Sequence, residues 1–456
     1  MQINLEPKLS DGMPIDIDDR FLHAIRLMEN SRKNVLITGR AGTGKSTLLE
    51  YFRRITRKSV AVLAPTGVAA LNIKGQTIHS FFKFRPDTTV STVRRLYPSQ
   101  KQFYQNVDTI IIDEISMVRA DLFDCMDAFM KANGKDPRLP FGGAQMVLVG
   151  DLYQLPPVVT KEEEGMFNGP YRSQYFFDSE AFGRLGVEHV ELEKHHRQTE
   201  DYFIGLLNAI RSNTITGEQL DVLNMRVNAS FVPDSSRMYI TLTTTNRTAD
   251  EINSRELARL GSTEHTYKAV IGGDFDSKTF PADEVLRVKE GMQVMMLNND
   301  RVERWVNGSM GIVTGIKTGL SEYDLVQVRL DNGQEFDVGP NKWDMFRFSY
   351  DQSERKLMSK SAGSFMQYPI APAWAVTIHK SQGKTFKNVI IDIGSGTFAN
   401  GQLYVALSRC TTLRGIILRR PVGRRHIFTD QRIAAFLNGL DAVPAQTTTG
   451  DAQASA

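Results

Sequence analysis

Gly39-Arg40-Ala41-Gly42-Thr43-Gly44-Lys45-Ser46 decides how the rest of this 456-residue chain is read. It follows a short apolar run, Val35-Leu36-Ile37-Thr38, and precedes Ser46 to Ile55, whose apolar residues recur at helical spacing. The pattern is G-x-x-x-x-G-K-[ST] in a strand–loop–helix setting. Glycines let the backbone curl so that its N–H groups face an anion, and the helix N-terminus adds its dipole. Gly39, Ala41, Gly42, Thr43, Gly44, Lys45, Ser46 and Thr47 are therefore read as a nucleotide-phosphate cradle. Lys45 reaches the β- and γ-phosphates and Ser46 ligates Mg²⁺.

Working outward, further strands are expected at Val60-Ala61-Val62-Leu63, Thr109 to Ile112 and Gln145 to Val149, with helices at Thr66 to Leu71 and Val118 to Ala132. Uninterrupted apolar runs mark strands buried on both faces, hence a parallel sheet between helices. The third strand ends in Asp113-Glu114. In such sheets ligands sit at the carboxyl ends of strands, so Asp113 is placed for the Mg²⁺ shell and Glu114 to polarise the attacking water. ATP is favoured as the nucleotide, although Asn341-Lys342-Trp343-Asp344 matches the Asn-Lys-x-Asp guanine pattern.

A second α/β block is expected from residue 186, with strands at Met238 to Leu242, Ala375 to Ile378, Val389 to Asp392 and Gly415 to Leu418. Across 270–368 the composition shifts to short glycine-punctuated runs, and Asp331-Asn332-Gly333 between alternating stretches signals a hairpin. The expected organisation is thus an N-terminal unit over 1–185, a C-terminal unit over 186–269 and 369–440, a β-rich insertion over 270–368, and a disordered tail over 441–456. The fold class is α/β, with two tandem RecA-like P-loop NTPase domains.

Composition narrows the function without naming it. The net charge of +3 excludes a highly basic coat protein. Residues 1–20 carry −3 and 441–456 carry −2, leaving a body of +8. Two cysteines, Cys125 and Cys410, exclude a disulfide framework and lean toward a reducing cytoplasm. No apolar run approaches the ~18 residues of a membrane span, and no targeting segment is visible.

Further motifs follow in order: Ala64-Pro65-Thr66-Gly67-Val68-Ala69-Ala70, Gly75-Gln76-Thr77-Ile78-His79-Ser80-Phe81-Phe82, Gly150-Asp151-Leu152-Tyr153-Gln154-Leu155-Pro156-Pro157, His196-Arg197-Gln198, Thr377-Ile378-His379-Lys380-Ser381-Gln382-Gly383 and Tyr404-Val405-Ala406-Leu407-Ser408-Arg409. Spread over about 34–420, this series resembles superfamily 1B DNA helicases of the Pif-one and RecD-like group, closest to the bacterial Pif-one proteins. The resemblance implies an ATP- and Mg²⁺-dependent 5′→3′ helicase that translocates on single-stranded DNA. It implies γ-phosphate sensing by Gln154, arginine fingers at Arg197 and Arg409, and Gly383 at the nucleotide. It implies DNA contacts at Pro65, Thr66, Gly67, Thr77, His79 and Phe81 in the first block. In the second block the matching positions are Thr244, Thr245, Asn246, Thr377, His379, Lys380 and Ser381. Small hydroxyls and amides grip phosphate without reading sequence, which suits a translocating motor. For each Thr or Ser a helix cap is the competing reading; for Phe81 and Phe82 it is core packing.

The resemblance also implies a small wedge-bearing element at 83–106 and an SH3-like character for the β-rich insertion. Its expected substrates are forks, DNA junctions, RNA–DNA hybrids and G-quadruplexes. Its expected setting is a monomer, sometimes beside single-strand-binding protein, in the bacterial cytoplasm on the nucleoid. One departure stands out: Ile15 to Phe21, where many relatives carry an adenine-reading Gln, has none. Competing classes are an ATP-switched clamp, the motor of a nuclease complex and a small-molecule kinase.

Overall fold

The computed structural model describes residues 17–441, apart from 86, 160–162, 168–170, 195–199, 235–236, 301, 320–321, 352–355, 395 and 397–398. Its first block is a six-stranded, wholly parallel sheet. The spatial order is Gln76–Thr77, Val60–Ala64, Thr109–Ile112, Gln145–Gly150, Asn34–Gly39, Val187–Leu192. Central strands such as Thr109–Ile112 are buried throughout, as their unbroken apolar runs require. Helices Asp19–Asn30 and Lys45–Ile55 cover one face, and Ala120–Asn133 covers the other.

The boundary expected at 185/186 is displaced. Val187–Leu192 pairs in parallel with Asn34–Gly39, so the first block's sheet runs to residue 192. The second block is a four-stranded parallel sheet in the order Ala375–Thr377, Ile240–Thr243, Val389–Asp392, Ile416–Leu418. Helix Asp201–Arg211 packs against helix Gln402–Leu407 in its core.

The insertion is wider than 270–368. It starts with strand Glu264–Lys268 and closes with Ile370–Pro372, which completes a five-stranded antiparallel sheet. The Asp-Asn-Gly turn joins Leu325–Leu330 to Glu335–Val338, with Gly333 at φ +85°. A long hairpin, Asn341–Asp351 with Lys356–Gln367, pairs with Val270–Gly273 and reaches back to the first block. There the Phe348 N–H donates to Gln76 Oε1 at 3.3 Å, and Phe348 meets Phe81 edge to face.

The unit expected over 369–440 also divides. Its last helix, Gln431–Asp441, leaves the second block and docks on the first: Ile433 is buried in that core and Phe436 stacks on Phe177. In the 83–106 element, helix Pro98–Gln105 and the preceding loop lie on helix Ala120–Asn133, tied by Asn133 to the Leu96 N–H and the Arg94 carbonyl. Both cysteines are buried and free. Among the described residues no helix is long and apolar enough to cross a membrane. The tail expected over 441–456 lies outside the described residues, except Asp441, which ends the last helix.

Candidate nucleotide site and nucleic-acid interface

The phosphate loop leaves strand Asn34–Gly39 and enters helix Lys45–Ile55 through Gly44, at φ +85°. At Gly39 a side chain does not fit: a Cβ there would stand 2.5 Å from Thr43 Oγ1 and 2.8 Å from the Leu192 carbonyl oxygen. Thr43 Oγ1 donates to the Arg40 carbonyl and closes the loop. Lys45 Nζ donates to the Gly39 and Arg40 carbonyls at 2.7 and 2.8 Å. Burial lowers its pKa, against the opposing pull of Asp151, Glu114 and Asp113. Ser46 is exposed at the helix start and Thr47 half-buried behind it.

Asp113 and Glu114 stand at the carboxyl end of strand Thr109–Ile112. Asp113 is buried, and its Oδ1 accepts the Glu114 N–H at 2.9 Å. Glu114 adopts the left-handed region (φ 52°, ψ 44°) that a non-glycine residue rarely takes. Burial and the adjacent Asp113 push its carboxyl up to about 7, while Lys45 and Arg409 pull it down. Such strain and perturbed titration, together in a cleft, mark a functional site. Asp113 supplies a carboxylate at the carboxyl end of its strand, and Ser46 an exposed hydroxyl at the start of the phosphate-loop helix. That hard-oxygen pair suits Mg²⁺, which takes few protein ligands and completes its shell with water and phosphate.

Gln154 arrives after strand Gln145–Gly150. Its Nε2 donates to Asp151 Oδ2 at 3.2 Å, and its Oε1 accepts from Gln382 of the second block at 3.4 Å. Gly383, at φ +76°, follows in the same turn. Arg409 is only 1% exposed. It is held by the carbonyls of Val405, Ser381 and Lys384 and by the Ser408 hydroxyl. The structure thus gathers Lys45, Asp113, Glu114 and Gln154 from one block and Arg409 from the other at one cleft. Arg197 lies outside the described residues. Arg211 and Tyr404, to which no role attaches from sequence, also enter this cleft: both reach Asp151, at 3.5 and 3.1 Å.

The expected DNA contacts separate into two groups. Thr66, Thr77 and Thr245 each cap a helix, accepting the N–H of Ala69, Ser80 and Thr248 at 3.2 Å. A hydroxyl that accepts in this way keeps its own proton to donate. Thr245, Asn246 and Lys380 are exposed; Pro65, Gly67 and Thr244 are half-buried. Thr279 of the insertion closes over Gly67, with Thr279 Cγ2 2.3 Å from where a Cβ would stand. His79 and His379 are half-buried, and desolvation lowers both pKa values, which keeps the imidazoles neutral near pH 7.

Three expected contacts do not face outward. Phe81 is 3% exposed among Phe82, Phe103, Tyr104 and Phe348, because the insertion's hairpin covers it; it is core. Ser381 is fully buried, its hydroxyl donating to the Ile378 carbonyl. Thr377 is also buried, and its Oγ1 accepts the Lys380 N–H.

A model of the PIF1-like helicase family matches residues 18–220, and one of the UvrD-like helicase C-terminal domain matches 372–416. The chain is 32% identical to the ATP-dependent DNA helicase Pif1 of Bdellovibrio bacteriovorus over 421 residues, which cover 89% of this chain and 88% of that protein. The chain belongs to the PIF1-like helicase family. Unliganded Pif1 from Bacteroides sp superposes with a TM-score of 0.85 at 34% identity, covering 94% of this chain and 98% of that one. Bacteroides Pif1 bound to ssDNA superposes less well, at 0.65, with 35% identity and coverage of 93% and 97%. Bacteroides Pif1 in complex with ADP-AlF4 superposes as well as the unliganded protein, at 0.85, so the arrangement resembles both of these more than the ssDNA-bound one. The chain spans about three fifths of the length of the vertebrate Pif1 relatives it matches.

Proposed function

We propose that this PIF1-like helicase is an ATP-driven motor that moves 5′→3′ along single-stranded DNA and separates duplexes, forks, RNA–DNA hybrids and G-quadruplexes in genome maintenance. The observation that carries the reading is the cleft itself. Phosphate-loop and carboxylate residues of one parallel-sheet block meet a buried arginine of a second block, and both blocks carry DNA-contact candidates.

In this reading the loop N–H groups and Lys45 bind the ATP phosphates. Ser46 and Asp113 would hold Mg²⁺, which supplies charge neutralisation at the phosphates. Glu114 orients the attacking water and takes its proton, and a carboxyl raised to about 7 suits that task near neutral pH. Gln154 senses the γ-phosphate. Arg409 and Arg197 approach it from the second block, so ATP favours the closed arrangement by binding it more tightly.

Hydroxyls, amides and neutral imidazoles at Thr66, Thr77, His79, Thr244, Thr245, Asn246 and His379, with Lys380, grip the DNA backbone with little net charge. Each phosphate held by Lys or Arg steepens the salt dependence of binding. A motor that releases DNA at every cycle is served by few such contacts.

The test compares unwinding of one duplex carrying a 5′ tail or a 3′ tail of equal length. The reading expects ATP-dependent opening of the 5′-tailed substrate; preference for the 3′ tail rejects the polarity. ATPase stimulated by single strands, with no unwinding of any tailed duplex, replaces the motor with an ATP-switched clamp.

A further inference from the structure

Asp151 is fully buried, and its carboxylate is shared between the blocks. Oδ1 accepts the Tyr153 N–H at 3.2 Å and faces Arg211 Nη2 at 3.5 Å. Oδ2 accepts Gln154 Nε2 at 3.2 Å and the Tyr404 hydroxyl at 3.1 Å. Two of these four partners belong to the second block: Arg211 ends helix Asp201–Arg211, and Tyr404 lies in helix Gln402–Leu407. Tyr404 and Ala41 of the phosphate loop line the same small cavity. The Arg211 guanidinium lies over the Tyr153 ring, 4.2 Å from its centroid. The backbones are in contact too, since a Cβ on Gly401 would stand 2.3 Å from the Tyr153 carbonyl oxygen.

This geometry decides which way Gln154 faces. A carboxylate only accepts hydrogen bonds. Asp151 therefore draws in the Gln154 amide nitrogen and leaves the amide oxygen toward Gln382. We propose that Arg211 is a positioning residue for ATP hydrolysis: it transmits closure of the second block to Asp151, and Asp151 sets the Gln154 amide. The proposal rests on the reading of the cleft as the ATPase site.

When the blocks part, Asp151 loses Arg211 and Tyr404 together. A buried carboxylate deprived of its cation is costly and takes the next one available. Lys45, which Asp151 attracts, is the alternative cation within electrostatic reach.

The experiment is DNA-stimulated ATPase against ATP concentration in the full chain, with single-strand binding measured without nucleotide. For Arg211→Gln the proposal expects kcat to fall about tenfold, with KM and DNA affinity each within about threefold. Arg211→Lys restores kcat to within about threefold of the parent, since it keeps the charge but not the fork. The double variant Asp151→Asn with Arg211→Gln is no slower than the slower single, because both break one chain. A parent-like kcat for Arg211→Gln, or independent multiplication of the two effects, overturns the proposal. If Arg211→Gln does not fold, Tyr404→Phe decides: it loses one hydroxyl, and a parent-like kcat overturns the proposal equally. Absence of DNA-stimulated ATPase in the parent chain is a separate result and sinks the underlying reading instead.

Discussion

Lys45 Nζ lies 2.7 Å from the Gly39 carbonyl oxygen, so the resting lysine is bound to the loop it is meant to serve. Its second acceptor, the Arg40 carbonyl, holds it in the same place. Phosphate oxygens are stronger, charged acceptors and displace both. Lys45→Ala removes that charge from a buried site and is expected to lower ATPase by at least about a hundredfold. Single-strand affinity without nucleotide should stay within about twofold of the parent, because the DNA candidates lie elsewhere. A steady-state ATPase assay beside a fluorescence-anisotropy titration checks both halves.

Glu114 calls for a different substitution. Gln keeps its shape and its left-handed backbone position but cannot take a proton. Glu114→Gln is expected to bind nucleotide about as well as the parent and to turn over on the order of a hundred to a thousand times more slowly. Near-parental ATPase would remove Glu114 from the role of base and leave it a structural carboxylate beside Asp113.

Much of this was legible because it is local. The phosphate loop, its strand and its helix lie within residues 34–55, and the Asp-Glu pair ends a strand four residues long. What sequence could not supply is long-range placement. Arg211 and Tyr404 reach Asp151 from 60 and 253 residues away; Tyr404 opens the motif that ends in Arg409, yet nothing near either residue names Asp151 as its partner. Val187-Glu188-His189-Val190-Glu191-Leu192 lacks a clean two-residue alternation, and nothing in it says that it joins the first block's sheet rather than opening the second. For Phe81 the ambiguity was chemical. A base-stacking ring and a core ring look alike in sequence, and the hairpin that covers it returns from Phe348.

That cover gives a prediction of its own. Phe81→Ala is expected to cost about 3–5 kcal/mol of stability, the range for a buried aromatic truncated to alanine. Single-strand affinity per folded molecule should be unchanged. Urea denaturation and DNA titration separate the two. A large loss of DNA affinity with unchanged stability would return Phe81 to the DNA surface.

Phe436 stacks on Phe177 with ring centroids 4.3 Å apart and 9° between planes, with Phe182 and Phe176 packed edge-on. The last helix therefore ties the end of the second block's chain to the first block. Phe436→Ala is expected to destabilise by about 2 kcal/mol, less than a fully buried ring because Phe436 is only partly covered. Thermal melting of the variant checks this, and a melting temperature equal to the parent's would show that the docked helix contributes nothing.

Lys384 supplies a pH dependence whose sign is fixed. Its carbonyl helps to hold Arg409, and its Nζ donates to Asn307 Oδ1 at 3.2 Å. Burial and the nearby Lys380 lower its pKa to about 8, from the ordinary 10.5. The unfolded chain then binds more protons than the folded one between about 8 and 10.5, so this group's contribution to stability rises with pH across that window. Below about 8 the lysine is charged in both states and the folded state bears the full burial penalty. Lys384→Met removes the charge and keeps the stem. It is expected to be more stable than the parent at pH 7, with the advantage shrinking as pH climbs from about 8 toward 10.5. Urea midpoints for the pair at pH 7, 8.5 and 10 read this directly. A stability difference that does not change with pH would mean that the lysine is solvated in the folded chain.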